Sequence, residues 1–187
     1  MGSSLAAMLD RRSALGLLAA AAAAPARAAE PLKGQPGLPG PLDRYRGLPV
    51  RRIDGEPSTL GRLLGPPRPT VVSFWATWCA PCAIEGRRLA RLRSLHPDAR
   101  LAIVGLNIDS RPDPLRLDLF RRKAHMTYTQ GVDALAAYQE ITGALTVALP
   151  RTYVFDGAGQ PVAAFGRFFG ERTLAAIDAA VAAALRG

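Results

Sequence analysis

Cys79 and Cys82, the only cysteines in a chain of 187 residues, stand two residues apart where one structural pattern gives way to another. Upstream lies Thr70-Val71-Val72-Ser73-Phe74-Trp75, rich in β-branched and aromatic residues, which reads as a buried strand. Beyond Pro81 the apolar residues take up a helical period. The pair therefore falls at a strand-to-helix junction, with Cys79 where the helix begins. Unpaired N–H groups at a helix start, together with the helix dipole, stabilise negative charge. A thiolate is such a charge, and it is the form of cysteine that attacks disulfides. Two intervening residues let the second sulfur close back on the first through a short ring. The pattern reads as a redox pair, with one sulfur exposed, ionisable near neutral pH and able to hand its bond to its neighbour.

The length allows one domain of ordinary size, and an apolar fraction of 49% supports a globular core. A net charge of +9 raises nucleic acid or an acidic membrane as partners. The basic residues are scattered, however, with Arg121-Arg122-Lys123 the only short cluster and no aromatic interleaved. A basic solvated surface is the expectation, with no nucleic-acid partner.

Residues 1–28 read as an export signal. Arg11-Arg12 precede Leu15-Gly16-Leu17-Leu18 and an alanine run to Ala24, then Pro25 and the small-x-small pattern Ala26-Arg27-Ala28. The paired arginines resemble a twin-arginine signal, although Asp10 and Ala14 depart from it; ordinary secretion and an uncleaved anchor stay open. The apolar run is short for a membrane span. Cleavage after Ala28 removes three cations and one anion, taking the net charge from +9 to +7. Export fits a lone cysteine pair, which then works in an oxidising compartment.

Residues 29–47 are rich in Pro and Gly and read as a linker or extended arm, so the folded domain is expected over 48–187. Within it, strands are expected at about 48–53, 70–76, 101–108, 127–130, 151–155 and 162–168. A loop or short helix is expected at 58–64, with helices at about 81–95, 115–124, 133–140 and 171–186. Strand–helix–strand spacing implies an α/β fold with a parallel core, and the last two strands, joined at Asp156-Gly157-Ala158-Gly159, add an antiparallel hairpin.

One carboxylate stands out. The apolar stripe of the helix after the cysteines holds Leu92 and Leu89, and stepping back along it reaches Glu85 and then Cys82. A buried, unpaired charge is costly, so such a carboxyl tends to keep its proton. One turn beyond Cys82, Glu85 is placed to take that thiol's proton when Cys82 attacks a mixed disulfide. The alternative is that Glu85 reaches solvent or pairs with Arg88 on the same helix. A metal site needs about four ligands, and beside the cysteines only His96 and His125 remain, so no metal or other cofactor is expected. Haem attachment would need His directly after Cys82, where Ala83 stands.

The stretch Ser73-Phe74-Trp75-Ala76-Thr77-Trp78-Cys79-Ala80-Pro81-Cys82-Ala83-Ile84-Glu85 resembles the active-site segment of periplasmic thioredoxin-like thiol–disulfide oxidoreductases, in the branch close to the cytochrome c maturation reductases. Val147-Ala148-Leu149-Pro150-Arg151-Thr152-Tyr153-Val154-Phe155-Asp156 is similar to the cis-proline strand of that family. The resemblance implies a thioredoxin fold, a mixed central sheet flanked by helices, with residues 123–144 as a family-type helix and strand insert. It implies roles too: Cys79 as attacking nucleophile, Cys82 as resolving cysteine, Trp78 as a wall of the substrate groove. Pro150 would be the cis-proline facing the disulfide, with Leu149 offering backbone groups to an extended substrate. Ser73 departs from cytoplasmic thioredoxins, which place a buried acid there, and this shifts the base role toward Glu85 or water. The implied function is reduction of disulfides in periplasmic clients, in cytochrome c maturation or copper-centre assembly. A membrane thiol carrier would supply electrons to a monomer. A copper-carrying or client-holding protein without turnover, and a general disulfide oxidant, are the alternatives.

Overall fold

The computed structural model describes residues 36–187; the expected export signal lies outside them. The strands are β1 (Pro49–Arg52), β2 (Pro57–Thr59), β3 (Thr70–Trp75), β4 (Ala102–Asn107), β5 (Thr129–Val132), β6 (Arg151–Phe155) and β7 (Pro161–Phe165). The helices are α1 (Leu60–Leu64), α2 (Ala80–Leu95), α3 (Pro114–Lys123), α4 (Leu135–Thr142) and α5 (Glu171–Ala184). They build one mixed sheet in the order β2-β1-β5-β4-β3-β6-β7. β3, β4 and β5 are parallel, and antiparallel partners extend the sheet on both sides.

Every residue of β3 and of β4 is buried. Such fully buried, largely apolar runs are what a parallel core covered on both faces requires. On one face of β3, Trp75 stacks on Phe120 of α3, centroids 5.0 Å apart, and Ser73 meets Glu85 of α2. On the other, Phe74 packs edge-on against Tyr138 of α4 at 5.3 Å. Crossovers α2 and α3 therefore share a face, and α4 returns across the opposite one.

Three differences from the sequence reading have physical reasons. The arm expected over 29–47 packs against the domain at its end: Leu42–Tyr45 forms a 3-10 turn with Leu42 and Tyr45 buried, and Leu42 N–H donates to Gly159 O at 2.8 Å. The loop at 58–64 opens with a short edge strand, β2, before the brief helix α1. The strand expected at 127–130 lies two residues later, because Gln130 and Gly131 pair with β4 despite their weak strand preference. α4 ends on Gly143, whose φ of 63° is the left-handed cap a glycine adopts without steric cost. Among the described residues, no helix is long and apolar enough to cross a membrane.

Candidate active site

The site begins where β3 runs out. After Trp75 the chain turns through Ala76, Thr77 and Trp78, and the turn is fixed from outside it. Thr77 N–H donates to Asp109 Oδ2 at 3.0 Å, and that same oxygen accepts from Asn107 Nδ2 at 3.0 Å. Cys79 N–H donates to Ala76 O at 3.1 Å, which closes the turn and sets Cys79 as the N-cap of α2. Pro81 sits in the first turn of α2, where a missing N–H costs nothing.

The capping group is the sulfur itself. Cys82 N–H donates to Cys79 Sγ at 3.3 Å, and the two cysteines are joined as a disulfide with Cα atoms 5.3 Å apart. Hydroxyls and carboxylates usually cap helices by accepting such an N–H; here a sulfur holds that place, at the positive end of a 16-residue helix. The exposed sulfur expected from sequence is not found: Cys79 is 4% exposed and Cys82 2%. A sulfur bonded to its neighbour and receiving a backbone N–H has little surface left for water.

Glu85 is 1% exposed, one turn along α2 from Cys82. Its Oε1 accepts from Ser73 Oγ at 3.0 Å and from Thr152 Oγ1 at 2.5 Å. Ser73 and Thr152 are register partners on β3 and β6, so the carboxyl sits over that strand pair. Its Oε2 is buried without a partner. Burial pushes the Glu85 carboxyl above its usual range, and the two hydroxyl donors pull only partly the other way. Both alternative placements are excluded, since Glu85 neither reaches solvent nor pairs with Arg88. Arg88 instead bridges α2 to α5 through Asp178, at 2.6 Å, and Glu171. Tyr128 is also close: burial first, and the Glu85 charge second, hold its phenol above its ordinary pKa.

The bond between Leu149 and Pro150 is cis. Arg151 pairs with Phe74, so Pro150, one step earlier, lies level with the end of β3 from which the cysteine turn departs. Pro150 is buried and Leu149 half-buried. Tyr138 steadies the loop before them: its hydroxyl accepts Ala148 N–H at 2.9 Å. On the other side Trp78, 67% exposed, joins Thr77, Arg116, Leu119, Phe120 and Lys123 around a groove of ≈ 370 Å³. The structure thus gathers Cys79, Cys82 and Glu85 on one helix, with Pro150 and Trp78 at the same end of the sheet.

Sequence reading missed Thr152, Asp109, Gln130 and the α3 residues of the groove. Thr152 carried a signal, a polar residue two after Pro150 just before the run Tyr153-Val154-Phe155. The others become visible only once the strand order is known. Among the described residues, no group of three or more His, Cys, Asp or Glu is assembled to hold a metal ion.

The model of the AhpC/TSA family matches residues 46–162. The thiol:disulfide interchange protein HelX of Rhodobacter capsulatus is 34% identical over 91 residues, 48% of this chain and 47% of that protein. A thiol:disulfide interchange protein DsbE homologue of Paracoccus denitrificans is 26% identical over 108 residues, 58% of this chain and 56% of that one. The chain therefore spans about half the length of these two relatives. Among solved structures, a thiol:disulfide interchange protein of the thioredoxin family from Chlorobium tepidum superposes with a TM-score of 0.57. It is 22% identical, over 80% of this chain and 98% of that one, a likeness that fixes the architecture as a thioredoxin fold.

Proposed function

Because the chain belongs to the AhpC/TSA family, we propose that its cysteine pair makes it an exported thiol–disulfide oxidoreductase that reduces disulfides in periplasmic client proteins. The observation that carries this reading is the Cys79 sulfur at the N-cap of α2, receiving Cys82 N–H and bonded to Cys82. In the reduced protein the same N–H and the helix dipole favour Cys79 as thiolate. That thiolate attacks one sulfur of a client disulfide, and the other client sulfur leaves as a thiolate that takes a proton from water. Cys82 loses its proton to the buried Glu85 carboxylate and attacks Cys79 Sγ, releasing the second client thiol and closing the disulfide. Two electrons pass from protein to client, and a membrane thiol carrier restores the dithiol.

Glu85 suits the proton step through its environment. A carboxyl raised by burial holds a proton nearer neutral pH, and the Ser73 and Thr152 hydroxyls keep it in place. Trp78 and the Leu149-Pro150 bond flank the segment on which an extended client lies. Export is supported by the paired arginines and the small-x-small pattern before Ala28. Cytochrome c maturation or copper-centre assembly supplies the clients.

The test is a trap. In Cys82→Ser the Cys79 thiolate attacks but nothing resolves the mixed disulfide, so the client stays attached and mass spectrometry identifies it. Absence of any adduct while Cys79 alkylates readily overturns the reading.

A further inference from the structure

The groove beside the cysteine turn is apolar on its floor and positive at its edge. Phe120 forms the floor, held flat by its stack on Trp75 with ring planes 10° apart. Trp78 and Leu119 stand beside it, 67% and 57% exposed, and Leu115, one turn back on α3, is 66% exposed. Large apolar side chains left in water next to a reactive disulfide mark a contact surface. Arg116 and Lys123 line the same groove and no acid does.

The charges that could cancel this field are engaged or weakly placed. Asp113 is 4.0 Å from Arg116, both largely exposed, and it also caps α3 by accepting Leu115 N–H. Asp118 pairs with Arg122 at 2.8 Å. Asp109 holds Thr77 N–H and Asn107 Nδ2. Among the described residues no carboxylate pairs with Lys123, and Arg87 adds a cation by donating to Lys123 O at 3.3 Å.

We propose that this groove selects client polypeptides in which an apolar side chain and acidic residues flank the reacting cysteine. The selection rests on the thiol–disulfide function proposed above and adds the class of substrate. The apolar side chain seats against Trp78, Leu119 and Phe120, while the carboxylates lie between Arg116 and Lys123. Complementary charge of this kind raises the association rate and fades with salt.

The test uses the reduced full chain and three peptides, each with one cysteine held as a mixed disulfide with thionitrobenzoate. They differ only in two residues beside a leucine that adjoins the cysteine: a glutamate pair, a serine pair or a lysine pair. The Cys79 thiolate attacks the peptide sulfur and displaces thionitrobenzoate, whose absorbance reports the step. Cys82 then attacks Cys79 Sγ, the peptide leaves as a thiol carrying the Cys82 proton, and the protein is oxidised by two electrons. At low ionic strength the acidic peptide is expected to react about tenfold faster than the lysine peptide. The gap closes at about 1 M salt, where the screening length falls to about 3 Å. The double variant Arg116→Glu, Lys123→Glu reverses the order, and Arg116→Gln, Lys123→Gln brings the ratio close to one. The exposed Arg100 and Arg186, which follow the C-terminal ends of α2 and α5, are not among the residues lining the groove, and Arg100→Glu, Arg186→Glu makes the same change in net charge while keeping the original order. Equal rates for acidic and lysine peptides, or reversal by the remote pair, overturn the groove as selector while exchange itself stands. No exchange with any of the three peptides removes the function, and the selection with it.

Discussion

Thr152 Oγ1 donates to Glu85 Oε1 at 2.5 Å, across 67 residues of sequence. The bond ties the strand that follows the cis Leu149–Pro150 bond to the helix that carries both cysteines. It leaves Glu85 with one satisfied oxygen and one buried oxygen free to hold or lose a proton.

That placement gives stability a pH dependence of definite sign. Burial raises the folded-state pKa of Glu85 above its ordinary 4.5, so the folded chain binds this proton more tightly than the unfolded chain. The contribution is complete below about pH 4.5 and is lost as pH rises through the folded pKa. Glu85→Gln removes it. Denaturation midpoints of the variant, measured from mildly acidic to mildly alkaline pH against the native chain, should fall less steeply with pH. In the same variant the proposed Cys82 step loses its proton acceptor, and release of a trapped disulfide should slow by about 100-fold. An unchanged pH profile with unchanged release excludes Glu85 from the proton step.

A second expectation concerns the row of register partners Thr152, Ser73, Gly105 and Gln130 across the sheet. The Gln130 side chain lies over Gly105, where a Cβ would stand 2.4 Å from Oε1, and that oxygen accepts Trp75 Nε1–H at 3.0 Å. Gly105→Ala therefore displaces a buried, bonded amide and should cost about 1–3 kcal/mol in denaturant unfolding. In a Gln130→Ala background the space is clear, so the cost should shrink markedly, a coupling that a double-mutant cycle reads directly. Additive effects would show that Gln130 does not occupy the space over Gly105.

Tyr138 makes a third. Its hydroxyl accepts Ala148 N–H just before the Leu149–Pro150 bond, and Tyr138→Phe leaves that N–H without its partner. The expected loss is about 0.5–1.5 kcal/mol, with faster hydrogen exchange at the Ala148 amide. No change in that exchange rate would show that the loop is held by something else.

What the sequence could reveal follows the range of each interaction. β3, β4, α2 and α5 were readable because burial on both faces, or on one helical stripe, leaves a local periodic record. The 3-10 turn at Leu42–Tyr45 left none, since its two buried residues sit among prolines and glycines. β2 is three residues long and begins with Pro57, and a strand that short carries too little alternation to register. At the site, Cys79, Cys82 and the place of Glu85 on the buried stripe follow from spacing along one helix. The partners of Glu85 do not: Ser73 and Thr152 meet it only because β6 pairs with β3, a contact between segments 79 residues apart at that register position. Trp78 as a wall of the groove followed from the family resemblance, but the α3 side of the groove was hidden, because Trp78 and α3 meet through crossover geometry rather than through any local motif.

The most direct measurement is the ionisation of Cys79 in the reduced chain, followed by thiolate absorbance against pH with Cys82→Ser as the single-thiol reference. A sulfur at the cap of α2 should ionise well below the ordinary cysteine value of about 8.5, because the Cys82 N–H and the helix dipole favour its thiolate, and should exchange with a model disulfide at neutral pH. A Cys79 that titrates at about 8.5 or above and leaves the model disulfide intact contradicts the account.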